Sequence, residues 1–95
     1  MIQKNKRIAI VILNYNGLNL LKKFLPSVVN LSDEKISSIY LIDNCSTDNS
    51  ISYVKNTFSK VKIISHKKNL GYSSGYNKGL KLIKNLKDIL LDHFR

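Results

Sequence analysis

The sequence has little sulfur and little negative charge. Its single cysteine, Cys45, has no second cysteine to pair with in the chain, which excludes a disulfide-stapled scaffold and fits a reducing compartment. With one cysteine and two histidines, a structural zinc site lacks its ligands. No apolar run approaches the roughly 20 residues that span a bilayer. The basic start and the run "RIAIVIL" superficially resemble a signal peptide. Asn14-Tyr15-Asn16 stands where a small-residue cleavage site would be, so we read the run as a strand. The sequons at Asn30 and Asn44 carry no weight without a secretory signal.

Acidic residues number 6 against 16 lysines and arginines, a net charge of +10. Such a charge attracts phosphate, anionic lipid or nucleic acid. The cations are scattered, however: Lys4, Lys6 and Arg7; Lys22 and Lys23; Lys67 and Lys68; then Lys78, Lys81, Lys84 and Lys87 along the last expected helix. Solvated faces account for that distribution. A length of 95 residues, 43% of them hydrophobic, suits one globular domain with a thin core. We therefore expect residues 1–95 to form a single domain.

Strand and helix patterns alternate. Strands are expected at about 7–13, 38–42, 61–65 and 88–91, the first almost continuously apolar and β-branched, as in a sheet covered on both faces. Between the first two lies "GLNLLKKFLPSVVNL", with Leu18, Leu21, Leu25 and Val28 or Val29 on one helical face. Pro26 should kink that helix, because it removes the bond to the Lys22 carbonyl. Ser46 or Thr47 is expected to cap a short second helix, with Asp48 in its first turn and Ile51, Val54 and Phe58 as its stripe. A third helix is expected over roughly 72–86, with Tyr76, Leu80 and Ile83 in register. The alternation predicts an α/β fold with right-handed crossovers and a mainly parallel sheet.

In such a sheet the strand C-termini share one edge. Each apolar run here empties into polar residues there: Asn14-Tyr15-Asn16, Asp43-Asn44, His66 to Asn69, and Asp92-His93. Open α/β sheets bind ligands in that crevice. A carboxylate at a strand tip, such as Asp43, can accept hydrogen bonds from a ribose or a base. The competing reading is that Asp43 and Asn44 only form an Asx-turn. Neither a Walker A loop nor a G-x-G-x-x-G turn is present. Gly71, Gly75 and Gly79, four apart in "GYSSGYNKG", instead share a helix face. Gly75 and Gly79 suit close helix–sheet packing, and Gly71 at the helix entrance could face a phosphate.

Three stretches in order, "IAIVILNYNG", "LIDNCSTDNS" and "NLGYSSGYNKGL", together resemble the opening of a family 2 glycosyltransferase. The resemblance covers Ile8 to about Leu91. It implies the Rossmann-like N-terminal half of a GT-A domain and an inverting transferase that uses a nucleotide-diphosphate sugar. On that basis Tyr15 lies against the base, and Asn14 and Asn16 shape its loop. Asp43 and Asn44 bind base or ribose, while Asn69, Gly71 and Asn77 line the pocket. Ser46 and Asp48 hold the loop and cap its helix. His66 and His93 are read as surface or loop histidines, and no residue is assigned as catalytic.

The family strand that would begin at Ile89 continues to an acidic D-x-D pair, which holds Mg or Mn against the diphosphate. Here Asp92 fills the first position, but Phe94 fills the second, so the metal is not expected to bind well. The acceptor half and its base have no counterpart in the sequence. The resemblance therefore implies a truncated product, or a half completed by another chain, with a poorly protected sheet edge and a tendency to self-associate. The expected location is cytoplasmic, peripheral at the inner face of the membrane, in cell envelope polysaccharide synthesis. No specific nucleic acid partner is expected. The alternative is a non-catalytic basic module that binds anionic membrane, nucleic acid or a partner subunit.

Overall fold

The computed structural model describes residues 8–86. Its elements follow in the order β1 (Ile8–Asn14), α1 (Leu18–Leu31), β2 (Ser37–Asp43), α2 (Ser50–Thr57), β3 (Val61–Ser65) and α3 (Tyr72–Leu86). The strand expected at 88–91, and Asp92, His93 and Phe94, lie outside the described residues.

The three strands form one parallel sheet in the order β1-β2-β3. Ile8 pairs with Ser37 and Asn14 with Asp43; Asp43 in turn pairs with Ser65. This register brings the polar ends of all three strands level with one another. β2 is central and buried along its whole length, as its apolar "IYLI" requires of a strand covered on both faces.

Side-chain alternation along the strands splits the core into two layers. On one face Leu21 and Leu25 of α1 and Val54 of α2 pack with Ile39, Leu41 and Val61. On the other, Ile83 of α3 packs with Tyr40 and Ile42. Helix α1 runs from Leu18 to Leu31 through Pro26, which has no N–H to offer the Lys22 carbonyl. Leu21 and Leu25, one turn apart, supply its buried stripe.

The third helix lies unusually close to the sheet. A Cβ at Gly79 would come within 2.3 Å of Ile42 Cδ1, and one at Gly75 within 2.7 Å of Asn44 Nδ2. Glycine is needed at both positions because any side chain would displace a buried neighbour. Among the described residues, no helix is long and apolar enough to cross a membrane.

Candidate functional site

The polar ends of the strands bond chiefly to one another. Asn14, at the tip of β1, donates through Nδ2 to Asp43 Oδ1 at 2.8 Å and to Ser46 Oγ at 3.2 Å, and its Oδ1 accepts the Gly17 N–H at 3.1 Å. Asp43 also accepts from the Ser46 hydroxyl at 2.7 Å and, on Oδ2, from the Ser46 N–H at 2.8 Å. Its side chain has no exposed surface. Three of the roughly four acceptor positions of the carboxylate therefore serve the chain's own loop. Asp43 is placed as the pin of the turn after β2.

Asn16 continues this stitching. Its N–H donates to Ser46 Oγ at 2.8 Å, while its Oδ1 accepts the N–H groups of Thr47 at 2.7 Å and Asp48 at 3.1 Å. Asn16 adopts a φ of 51°, and Cys45 one of 69°. The left-handed region suits an asparagine with local partners; Cys45 is the less usual occupant.

The expected helix cap is not where the sequence placed it. Helix α2 begins at Ser50, and neither Ser46 nor Thr47 caps it. Their hydroxyls are engaged across the loop by Asn14, Asn16 and Asp43. Asp48 precedes the first turn of α2 instead of lying in it. It accepts the Ser50 hydroxyl and, at 2.9 Å, the Ser50 N–H. Its second oxygen accepts the Leu18 N–H at 3.1 Å, so one carboxylate serves the N-termini of α1 and α2 together. Burial raises its pKa, but the hydrogen bonds from the Ser50 side chain and from the backbone outweigh burial and hold the carboxyl below its ordinary value.

The second seam joins β2 to the entrance of α3. Asn44 Oδ1 accepts the Leu70 N–H at 3.0 Å, and its Nδ2 donates to the Gly71 carbonyl at 2.8 Å. Gly71 has a φ of +83°, which favours glycine. Its N–H is taken by Asn69 Oδ1 at 2.7 Å, so the donor considered for a phosphate is already in use.

His66, read from the sequence as a surface or loop histidine, lies in the loop after β3 but is buried there and not at the surface. It is 5% exposed; its N–H donates to the Asp43 carbonyl at 2.8 Å, and Nε2 lies 2.8 Å from the Gly75 carbonyl. The ring ties the tip of β3 to the first turn of α3. A lone histidine in a polar loop carries no periodic signal of burial, so the sequence could not reveal this.

The rim is thus built from Asn14, Asp43 and Asn44 inside it, with Tyr15, Asn16, Asn69, Gly71 and Asn77 exposed around it. Tyr15 is half exposed and lines a depression of about 130 Å³ with Ile12, Gly17, Leu20 and Phe24. A larger depression of about 450 Å³ lies at the opposite end of the sheet, beside Ser37, Ser38 and Lys60, and shares no residue with the rim. Among the described residues, no group of three or more histidine, cysteine, aspartate or glutamate side chains could hold a metal ion. The described residues therefore do not fit a metal centre, and no metal-dependent step is assigned to them.

The family model for glycosyl transferase family 2 matches residues 9–86. The chain belongs to glycosyl transferase family 2. Among solved structures, it is similar to the mannosyltransferase PcManGT from Pyrobaculum calidifontis in complex with GDP-Man and Mn2+, with 19% identity and a TM-score of 0.68. That likeness shows the fold, the Rossmann-like α/β sheet of a GT-A domain. The match covers 80% of this chain and 24% of the mannosyltransferase, so this family 2 chain corresponds to about a quarter of that protein. No curated protein matches the chain.

Proposed function

We propose that this family 2 glycosyltransferase domain binds a nucleotide-diphosphate sugar over the rim formed by the strand tips, as the donor-binding part of an inverting glycosyl transfer. The observation that carries the reading is the pair of seams made by Asp43 and Asn44. They fix three successive loops along the C-terminal edge of a parallel sheet, where open α/β sheets take their ligands. A donor complex of GDP-Man and Mn2+ in the similar mannosyltransferase supports a sugar nucleotide as the ligand class.

The roles divide by exposure for all but Asn16, which is exposed yet bonded to the 46–48 loop. Tyr15 offers a ring face for the base, and Asn69 and Asn77 offer exposed amides. Gly71 brings backbone close without a side chain in the way. Asn14, Asn16, Asp43 and Asn44 act mainly by holding those groups in place. A preformed rim saves the ordering entropy that a loose loop would lose on binding. The acceptor hydroxyl and the base that would deprotonate it have no assigned residue here, so catalysis belongs to a larger assembly than residues 8–86.

Chemical-shift mapping of the labelled chain tests this reading. Addition of UDP-sugars or GDP-sugars should shift the amides of 14–17, 44–48 and 69–77 in a saturable way. Shifts confined to the lysine-bearing face of α3, or none at all, would count against it.

A further inference from the structure

We infer that Tyr72 is the second ring of the donor site, closing on the nucleobase from the α3 side of the sheet while Tyr15 receives it from the α1 side. The role rests on the donor reading: it exists only if a sugar nucleotide occupies the strand tips.

Helical register sets where the ring stands. Tyr72, Tyr76, Gly79 and Ile83 follow one another at intervals of four, three and four residues, so they share one face of α3. The last three meet the sheet: Ile83 is fully buried, Gly79 lies against Ile42, and Tyr76 packs beside them. Tyr72 belongs to the same stripe, yet it is 81% exposed, the most exposed aromatic among the described residues. The sheet has ended beneath it. Gly75 abuts Asn44, the residue after β2, and Gly79 abuts Ile42 further back, so α3 starts at the strand tips. Tyr72 stands about 4.5 Å further out along the helix axis than Gly75. Side chains on a helix lean towards its N-terminus, which here is outward, over the rim.

The ring is mounted on a fixed backbone. Asn44 accepts the Leu70 N–H at 3.0 Å and donates to the Gly71 carbonyl at 2.8 Å. The same carbonyl accepts the Gly75 N–H at 3.0 Å, and the Gly75 carbonyl lies 2.8 Å from His66 Nε2. Residues on both sides of Tyr72 are thereby tied to the tips of β2 and β3. The Tyr72 side chain itself makes no hydrogen bond or aromatic pair with another described residue. An uncovered ring on a rigid mount gives up little freedom when a flat ligand covers it.

The two tyrosines flank the crevice from opposite faces. Tyr15 lines its depression with Leu20 and Phe24 of α1, and α1 packs on the face that carries Ile39 and Leu41. Helix α3 packs on the other face, against Tyr40 and Ile42. Between them lies the row of strand tips, where Asp43 and Asn44 are already committed to the loops. Stacking is therefore the main interaction left for a base. Every base has a ring face, so the pair selects a nucleoside diphosphate as a class.

Calorimetric titration of the 95-residue chain, of Tyr72→Ala and of Tyr72→Phe, with UDP, GDP and their sugars, tests the role. Tyr72→Ala should weaken the bare diphosphate and its sugar form by the same factor, roughly tenfold. Tyr72→Phe should bind like the unaltered chain, and both variants should keep its urea midpoint because the ring is exposed. Intermolecular proton contacts between the bound base and the Tyr72 ring should be seen by NMR in the unaltered chain; their absence would overturn the role. Unchanged affinity in Tyr72→Ala would also overturn it, and would leave the donor site itself standing. A loss confined to the sugar-bearing ligands would put the ring against the sugar, and an equal loss in Tyr72→Phe would make the hydroxyl the contact. Either result overturns stacking on the base. If the unaltered chain binds none of these ligands, the donor reading falls and the role falls with it.

Discussion

Asn14 donates to Asp43 at 2.8 Å between directly paired positions of neighbouring parallel strands. The bond is buried, and it links the last residue of β1 to the last residue of β2. Everything that follows each strand, from Tyr15 to Gly17 and from Cys45 to Asp48, hangs on this pair. Asp43 is consequently a structural member of the rim before it is anything else.

Removal of the Asp43 carboxylate should therefore be felt in stability. Asp43→Ala leaves the Asn14 amide and the Ser46 N–H and hydroxyl without their acceptor, at a cost of about 1–3 kcal/mol for unsatisfied buried groups. Asp43→Asn should rescue only in part, because its NH2 group would face the donors of Asn14 or Ser46. Urea denaturation of the three proteins measures this. Equal midpoints would show that the loop is held by something else.

The close approach of α3 sets a second expectation. Gly79→Ala gains about 1 kcal/mol of helix propensity, but its methyl group would meet Ile42, which is fully buried and cannot swing aside. Overpacking of this kind costs about 1–3 kcal/mol, so the net effect should be destabilising. A double-mutant cycle with Ile42→Val, which removes the nearest atom, should show positive coupling between the two sites. A stabilised Gly79→Ala protein would mean that α3 stands further from the sheet.

Acid should loosen the helix entrances through Asp48. Its folded pKa is lowered by the hydrogen bonds from Ser50 and Leu18, which prevail over burial. A depressed carboxyl contributes stability that is fully present above its unfolded value, about 3.9, and is lost as pH falls through the lower folded value. The stability difference between the unaltered chain and Asp48→Asn should thus be constant near neutrality and shrink below about pH 4. Denaturation midpoints across pH 2.5 to 7, on the order of six points, would reveal it. A difference that grows with acid would contradict the assigned direction.

Much of this architecture is legible in the residues. The β-branched runs around Ile10, Tyr40 and Ile63 mark strands, and the spacing of Leu21, Leu25 and Ile83 marks the buried helix faces. The four-residue interval between Gly75 and Gly79 indicates close packing because a helix turns once in that distance. The polar residues of the rim are equally visible as interruptions of apolar runs. Their mutual bonding is not. Ser46 and Thr47 have the chemistry of helix caps, and only the proximity of Asn14 and Asn16 in three dimensions redirects them. His66 is similar: its burial depends on the Gly75 carbonyl nine positions away, a partner that no local pattern specifies.

The charge of the chain provides a separate discrimination. If the +10 charge were the main attraction for ligands, affinity would fall steeply with added salt. Binding at the rim should instead depend on the Tyr15 ring. Fluorescence anisotropy of a labelled nucleotide at two salt concentrations separates the cases. Rim binding should survive the higher salt, and Lys81→Ala should leave it unchanged.

The most direct measurement is calorimetric titration of the chain, and of its Tyr15→Ala variant, with UDP-sugars and GDP-sugars. Saturable binding by one nucleotide class is expected, with a matching rise in thermal stability worth about 2.7 kcal/mol at a hundredfold excess over Kd. Tyr15→Ala should weaken it at least about tenfold, the equivalent of 1.4 kcal/mol. No heat with any sugar nucleotide, or equal affinity in the variant, would contradict a donor site at the strand tips.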